Sequence, residues 1–492
     1  MLLNGPESLI RRFQIKDIQG RVLEDLDNYN LTYAVTEICT NSPDNHLGRD
    51  MFSMEGNSAW QNFGGWIKHP TEGFQNNYGF QPIAANYPAR TITFDVTFTP
   101  FSAIFGGACD KYIPLSALEG MEINIQLETC GNAIKYCWVP YPTSDANIQA
   151  LVTATKAAGM NAGYYTSHSR RNTAYGAADL MTATGRAAVN DVYWSNQLGN
   201  NGDTAIANSA GYYQFNLSDA IQSNITYKIT QPKLLLNCID VEPAVNAALI
   251  EAAKDPRDGL IRIQTFSWVN FSTLIMGAQS GSYQWQIPVS VTSVKSIFFT
   301  LTNTTYTNNM NYLRSGFEHR GLMRYRVLIG GLPLNADWIN VDFSSPGNNN
   351  WTYSEPVQTL MEAWSVHHKT DGNPTLLTLD SYIPGRWSEA NYGMYIKETD
   401  AVFGQELESF SQKSGVIQSG LNTMQTPFVL ECEFSPNNTY NTVQGNSQAT
   451  LPPVNEAQVL WNTTHNYELR AYLMYDKVIA FDNTNGSVRA EY

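Results

Sequence analysis

The sequence predicts an all-β chain: two similar β-units in tandem, joined by one short helix. Three features of the chain carry that expectation. Runs that alternate apolar and polar residues recur along most of its length, the mark of half-buried strands. One pattern is stated twice, about 300 residues apart. Ala103-Ile104-Phe105-Gly106 leads through a polar stretch to Ile123-Asn124-Ile125-Gln126-Leu127-Glu128. Ala401-Val402-Phe403-Gly404 leads through another to Phe428-Val429-Leu430-Glu431-Cys432-Glu433-Phe434. Finally, a single strong helical segment lies between the halves.

Residues 1–21 read as an arm, with Leu9, Ile10, Phe13 and Ile18 as its apolar positions. The clearest early strand is Thr91 to Thr99, with Ile92, Phe94, Val96 and Phe98 on one face, ended by Pro100, which has no amide hydrogen for a ladder. Residues 141–211 are rich in Ala, Asn, Gly, Thr, Ser and Tyr and poor in Leu, Ile and Phe. They lie where the first half has roughly 100 residues between matching strands and the second has roughly 40. A surface loop tolerates such length at little entropic cost, so 141–211 reads as an insertion projecting from the first unit. Ile225–Ile229 and Lys233–Ile239 read as the closing pair of strands of that unit, with Cys238 facing inward.

From Asp240 to Lys254 the pattern turns helical. Pro243 suits a first turn, Val245, Leu249, Ala252 and Ala253 line one face, and Asp255-Pro256-Arg257-Asp258-Gly259 stops the run. Strands resume at Ile261–Phe266, Trp285–Val289, Val294–Phe299 and Tyr325–Ile329, the last followed by Gly330-Gly331 and Leu332-Pro333. Tyr467–Leu473 and Val478–Phe481 read as the second closing pair, and Asn485-Gly486 suits a tight hairpin before Ser487–Tyr492. Short strands at this spacing indicate a sandwich or barrel. Ile125 and Leu430 are the expected inward residues of the repeated strands, with Gln126 facing out and Cys432 inward.

A length of 492 residues accommodates two all-β domains of ~200–250 residues each. Charged residues make up only 15% of the chain, against ~25% in an average soluble protein. Asn, Thr, Ser and Tyr fill the surface instead, which suits packing against further copies. The net charge is −14, and Arg11, Arg12 and Lys16 form the one basic cluster. That excludes tight binding of bare nucleic acid, which needs basic patches to neutralise phosphates. Met1-Leu2-Leu3-Asn4-Gly5-Pro6-Glu7 lacks the basic start and apolar core of a signal peptide. No run reaches the ~20 apolar residues of a membrane helix. Synthesis and folding in a cytosolic compartment are expected, with the nine N-x-S/T sequons unused.

The residues suggest no chemistry. Cys39, Cys109, Cys130, Cys137, Cys238 and Cys432 show neither a CxxC pair nor zinc spacing. None of the seven His lies in a metal motif, and the adjacent His367-His368 point to opposite faces if extended. No nucleophile elbow or phosphate loop occurs. A glycosidase needs two carboxylates across a cleft; Glu406 with Glu408, and Glu431 with Glu433, are the pairs that would share a strand face. No catalytic, metal or cofactor site is expected.

With these residues laid out, the chain resembles the double jelly-roll major capsid proteins of virophages, polinton-like viruses and large eukaryotic DNA viruses, and the adenovirus hexon. The resemblance runs from about Val22 to Tyr492 and lies in organisation: tandem β-units, a connector helix and a long insertion in the first unit. Locally it rests on Phe105-Gly106 leading into Ile113-Pro114-Leu115-Ser116. It also rests on Ile297-Phe298-Phe299 followed by Tyr325 to Pro333, and on Ser419-Gly420-Leu421-Asn422-Thr423 before Phe428. The modest insertion in the second unit departs from members with towers on both halves.

The resemblance implies a double jelly roll: first barrel 22–240 with its insertion at 141–211, connector 241–259, second barrel 260–492. It implies a non-enzymatic homotrimer forming pseudo-hexagonal capsomers of an icosahedral virion shell, meeting neighbouring capsomers and minor capsid and penton proteins. Two other readings stay open on the residues alone: a carbohydrate-binding or carbohydrate-active β-sandwich, which a signal peptide would favour, and a viral spike or receptor-binding protein, which a trimeric shaft would favour.

Overall fold

The computed structural model describes residues 5–40, 97–105, 113–114, 120–134, 225–236, 238–304, 307–309, 314–318, 320–335, 337–341, 354–365, 401–408, 420–435, 439–441, 457–459, 465–482 and 486–491. The insertion expected at 141–211 and most of the strand at 91–99 lie outside them.

After a 3-10 turn at Gly5–Leu9 come β1 (Ile10–Asp17), β2 (Val22–Asp27), α1 (Tyr29–Thr40) and β3 (Met121–Leu127). They are followed by α2 (Pro243–Ala253), β4 (Ile261–Ile275), β5 (Gly281–Gln286), β6 (Val294–Asn303), β7 (Leu322–Ile329), β8 (Leu332–Pro333) and β9 (Ile339–Asn340). The chain finishes with α3 (Ser354–Ser365), β10 (Val402–Glu406), β11 (Phe428–Phe434), the small hairpin of β12 (Thr439–Asn441) and β13 (Ala457–Val459), β14 (Tyr467–Asp482) and β15 (Ser487–Glu491). The all-β class expected from the sequence is what the structure shows, with every strand pair antiparallel.

Pairing in the C-terminal half defines the topology. Take β4, β5, β6, β7, then β8 with β9, then β10, β11 and β14 as successive positions one to eight. The first pairs with the eighth, the second with the seventh, the third with the sixth and the fourth with the fifth. That is a long hairpin wound on itself, and it distributes the strands as β10-β6-β14-β4 in one sheet and β5-β11-β7-β8 in the other. Two such sheets with Greek-key connections are a jelly roll. The register of β14 is continuous against β4 from Tyr467↔Ile275 to Phe481↔Ile261. Its other edge is shared, by β6 up to Tyr475 and by β15 from Val478 onward. The β14–β15 hairpin turns through Gly486 at φ 64°, and β7–β8 through Gly330 and Gly331 at φ 59° and 84°, values that favour glycine.

The core between the two sheets is filled by Ile297, Phe299 and Leu301 from β6 and Leu469, Ala471 and Leu473 from β14. Tyr325 and Val327 of β7, and Leu430 and Cys432 of β11, meet them from the other sheet. The first sheet is buried on its far side too. There Phe298, Val402, Tyr472 and Met474 pack with Ile10, Phe13, Ile15, Leu23, Leu26 and Tyr29, and with Leu360, Ala363 and Trp364 of α3. Burial on both faces explains why Ile297-Phe298-Phe299 is a continuous apolar run, since a one-sided sheet would alternate. Phe298, Trp268 and Trp364 form one ring cluster, with centroids 4.5–5.7 Å apart.

Several expectations are corrected here. Residues 10–17, read as part of an arm, form the middle strand of the sheet β2-β1-β3, because Ile10, Phe13 and Ile15 alternate toward the shared core. Ile225–Ile229 and Lys233–Ile239 do not form strands where described, and Leu234, Leu235, Leu236, Ile239 and Cys238 are exposed. Apolar sequence confers β propensity, but a strand needs a neighbour for its ladder, and none pairs with these segments among the described residues. Ile125 and Leu127 are exposed at the outer edge of β3 rather than inward. The strand expected at Trp285–Val289 ends at Gln286, where Pro288 cannot donate to a ladder. Ala103–Phe105 bends, whereas the matching Ala401–Gly404 enters β10. The runs 467–473 and 478–481 are one 16-residue strand. The helix α2 is as expected, but Val245 and Leu249 are exposed and Ile250 is the residue that packs inward.

Candidate functional site

The carboxylate pairs singled out from the sequence meet different fates. Glu431 and Glu433 lie on one face of β11, each opposite an arginine of β7. Arg326 Nε donates to Glu431 at 2.7 Å and Arg324 Nε to Glu433 at 2.6 Å. Gln284 and Ser282 also donate to Glu431, at 3.0 and 3.1 Å. Burial pushes the Glu431 carboxyl up, but Gln284, Arg326 and Ser282 together hold it below its ordinary range. Trp338 lies against both arginines, with guanidinium carbons 4.6 and 4.2 Å from the ring centre. This is a cross-strand ladder on a flat sheet face. Two side-by-side, ion-paired carboxylates lack the facing geometry that glycoside hydrolysis requires.

Glu406 ends β10, and Glu408 follows it into a buried cluster. Lys295 Nζ lies 3.3 Å from Glu408 and 3.2 Å from Asp476, and Ser293 Oγ donates to Asp476 at 2.6 Å. Both glutamates titrate above their ordinary range, chiefly because they are desolvated.

The basic trio is divided by the strand it occupies. Arg12 is bound bidentately by Asp25 of β2, and Arg11 is exposed. Of the histidines only His465 is described, 3.4 Å from the Asn303 side-chain amide; His367 and His368 lie outside the described residues. Cys130, Cys238 and Cys432 are free thiols. Among the described residues no group of three or more His, Cys, Asp or Glu is placed to hold a metal. No described helix is long and apolar enough to cross a membrane.

What sequence reading missed is a set of buried polar anchors, two of which, Glu24 and Glu128, join the halves. Glu24 of β2 accepts from the Ala103 amide at 2.8 Å, from Ser267 Oγ of β4 at 3.1 Å and from Ser102 Oγ. Thr265 Oγ1 of β4 donates to the Ala103 carbonyl at 2.9 Å. The first copy of the repeated motif is thus tied to both halves. Glu128 accepts from Arg314 at 2.9 Å, Asn30 and Asn132 at 3.1 Å each and the Thr129 amide at 2.9 Å. Arg320, with one guanidinium nitrogen, donates to the carbonyls of Met276, Gly277 and Gln279 at 2.6–2.9 Å, and it lies over the rings of Phe434 and Tyr467. Apart from Thr129 and Asn132, which adjoin Glu128, these partners are distant in sequence, so no local motif could reveal them.

No protein-family model matches the chain, and no curated protein matches it. Solved structures do. One is the PBCV-1 virus capsid, at 8% identity and a TM-score of 0.28, covering 51% of this chain and 55% of that one. Another is PBCV-1 VP54 fitted into a cryo-EM reconstruction of the virophage Sputnik, at 9% identity and a TM-score of 0.43, covering 100% of this chain and 85% of that one. A third is the Sputnik virophage by cryo-EM, at 14% identity and a TM-score of 0.24, covering 48% and 40%. The chain thus matches about half the length of the first of these and less of the third. Identities this low assign no residue a role.

Proposed function

We propose that this chain is a major capsid protein of the double jelly-roll kind, acting as a structural element of a virion shell and not as an enzyme. The observation that carries the reading is the strand pairing of residues 261–482, a complete jelly roll reached from contacts alone. Jelly rolls also serve lectins, and fold alone does not assign function. Three further facts favour a shell. A second β-unit is welded to the first through a common core. The sequence resembles that capsid family along most of its length. The chain is low in charge, and of its paired carboxylates Glu408, Glu431 and Glu433 are engaged in ion pairs.

On this reading three chains associate, placing six barrels in a pseudo-hexagonal block that tiles an icosahedral shell, with minor capsid and penton proteins at its margins. Obligate interfaces of that kind bury about 2,000–5,000 Å². Electron microscopy of the purified protein tests it. Hexagonal blocks ~70–90 Å across, a width set by packed sheets ~10 Å apart and barrels of this size, or closed shells, are the expected result. Particles that remain 54.9 kDa monomers at micromolar concentration in ultracentrifugation would refute it.

A further inference from the structure

We propose that Lys295 and Asp476 condense into an amide cross-link between β6 and β14, formed by the folded chain itself with Glu408 as proton carrier. The inference concerns the C-terminal jelly roll alone and holds whatever the chain assembles into.

The fold brings the reacting groups together and holds them there. Lys295 Nζ lies 3.2 Å from Asp476 Oδ1 and 3.3 Å from Glu408 Oε1. The Asp476 carboxyl carbon is one bond beyond Oδ1, so a small turn of the lysine brings its nitrogen to the attack distance of about 3–3.5 Å. The strands that carry the pair are neighbours in one sheet, and Lys295 sits where their register shifts, between the pairs Met474↔Ser296 and Tyr475↔Val294. Backbone bonds fix the surroundings. The Leu407 amide donates to the Lys295 carbonyl at 2.7 Å and the Asp476 amide to the Ser293 carbonyl at 3.0 Å. Val294 and Leu421 exchange two bonds of 2.7 and 2.9 Å. Such fixed proximity replaces a bimolecular encounter with an effective concentration of about 10⁵–10⁸ M.

The site is also dry. The side chains of Lys295, Glu408 and Asp476 are 6%, 1% and 3% exposed, and Val294 and Leu407 beside them are buried. In water an ammonium and a carboxylate stay apart as hydrated ions. Taking both out of water is costly, whereas an amide carries no charge, so burial tilts the balance toward condensation. Asp476 is the acceptor because Ser293 Oγ donates to its Oδ2 at 2.6 Å. That bond draws electrons from the carboxyl carbon and can steady the oxyanion that forms on attack. Glu408 follows the end of β10 and meets Lys295 through Oε1. Its carboxyl titrates above its ordinary range, chiefly because it is desolvated, which suits a proton carrier.

The step balances without a co-reactant. One ammonium proton of Lys295 passes to the Asp476 carboxylate, which turns the ion pair into a neutral amine and a neutral acid. The Nζ lone pair attacks the Asp476 carboxyl carbon, and the C=O electrons move onto its oxygen. As the tetrahedral centre collapses, Glu408 in its acid form gives a proton to the departing Asp476 hydroxyl and takes one back from Nζ. The C–O bond breaks, one water leaves, and Nζ and the carboxyl carbon are joined as an amide. Glu408 ends as it began, and nothing is oxidised or reduced.

The test is the intact mass of the full chain, denatured after purification, followed by proteolytic mapping. The wild type should weigh one water molecule less than its sequence, and a branched peptide should join Lys295 to Asp476. Lys295→Arg, which keeps the charge but not the reactive amine, should show its own full sequence mass. A wild type at its full sequence mass overturns the proposal, as does a link mapped to any other pair. A Lys295→Arg chain that is still one water short overturns it too. Should that variant fail to fold, the wild-type mass and peptide map decide alone. In a folded Glu408→Gln chain, with mass followed from fresh synthesis, the link should form about a hundredfold more slowly. Formation at the wild-type rate overturns the role of Glu408 as proton carrier.

Discussion

Phe13 and Ile125 lie directly opposite each other across β1 and β3, yet Phe13 is 1% exposed and Ile125 is 47%. They share a sheet face, but only Phe13 reaches the core, where the Tyr29 ring stands 5.7 Å away. Position across the sheet, not side-chain type, decides what each contributes. Phe13→Ala should cost about 3–5 kcal/mol, and Leu430→Ala about 2–5 kcal/mol, as fully buried residues do. Ile125→Ala should stay below about 1 kcal/mol. Urea denaturation of the three variants checks this, and equal losses for Phe13 and Ile125 would mean that β3 is covered.

The glycine of the second repeated motif is a packing device. A Cβ on Gly404 would stand 2.8 Å from Leu360 Cδ1 of α3 and 2.9 Å from Phe298 Cδ1 of β6. Both neighbours are buried and cannot swing aside. Gly404→Ala should therefore destabilise by about 1–3 kcal/mol through overpacking. Shaving the neighbour in Gly404→Ala/Leu360→Ala should return less than the sum of the two single losses. Strict additivity in thermal melts would show that α3 does not press on β10.

Much of the C-terminal jelly roll is legible in the sequence because its signals are local. Ile297-Phe298-Phe299, Phe428–Phe434, the Gly330-Gly331 turn and the Asn485-Gly486 hairpin each announce themselves within ten residues. Asp476-Lys477 misleads, since two charges amid apolar residues imitate a turn. Their satisfaction comes from Ser293, Lys295 and Glu24, which only the fold brings near. The helix α1 is hidden by Thr32, Val35, Thr36 and Ile38, all modest helix formers, and is held by packing of Tyr29 on Phe13. For α3 the signal was present: Pro356 in the first turn, then Val357, Leu360 and Trp364 at helical spacing. The anchors Glu24, Glu128 and Arg320 carry little signal, because each depends on groups distant in the chain.

Arg320 should be among the least replaceable residues of the jelly roll. It is 1% exposed, sits at φ 47°, and its charge is met by three loop carbonyls and two ring faces. Burial pulls its pKa down to about 10, so it is still charged at neutral pH. Arg320→Ala would leave the loop carbonyls of Met276, Gly277 and Gln279 without their donor, a loss of about 3–5 kcal/mol. Arg320→Lys should recover only part, because a compact, strongly hydrated ammonium is costlier to bury and has no plane to lay over Phe434 and Tyr467. Wild-type stability in Arg320→Lys would refute the account.

Acid should undo what Glu128 holds. Burial pushes its carboxyl up, yet the Thr129 amide, Asn132, Arg314 and Asn30 outweigh that and keep it below its ordinary value. A carboxyl lowered in the folded state contributes stability that is full above the unfolded value and disappears as pH falls through the folded one. Below about pH 4.3, the ordinary glutamate value, the wild type should lose stability progressively. Glu128→Gln should begin lower at pH 7 and lose less between pH 5 and pH 3. Parallel pH profiles for the two proteins would assign the acid limb to other groups, such as Glu431.

The last expectation concerns whether the two halves are one cooperative body. Glu24 stands in the first half, but Ser267 of the second half donates to it, and the Lys477 ammonium faces it from β14. Removing the carboxylate takes from a buried lysine one of the opposite charges that face it, a defect worth about 3–5 kcal/mol. Glu24→Gln should therefore lower the melting temperature of the whole chain while keeping one transition, because the core that runs from Phe13 to Tyr472 crosses the junction. The double variant Glu24→Gln/Lys477→Met removes the lysine charge as well and should recover part of the loss. Its coupling energy should lie at about 0.5–3 kcal/mol. A calorimetric scan of Glu24→Gln that splits into two well-separated peaks, with the later one at the wild-type temperature, would show that the C-terminal jelly roll stands alone and that Glu24 merely glues a second body to it.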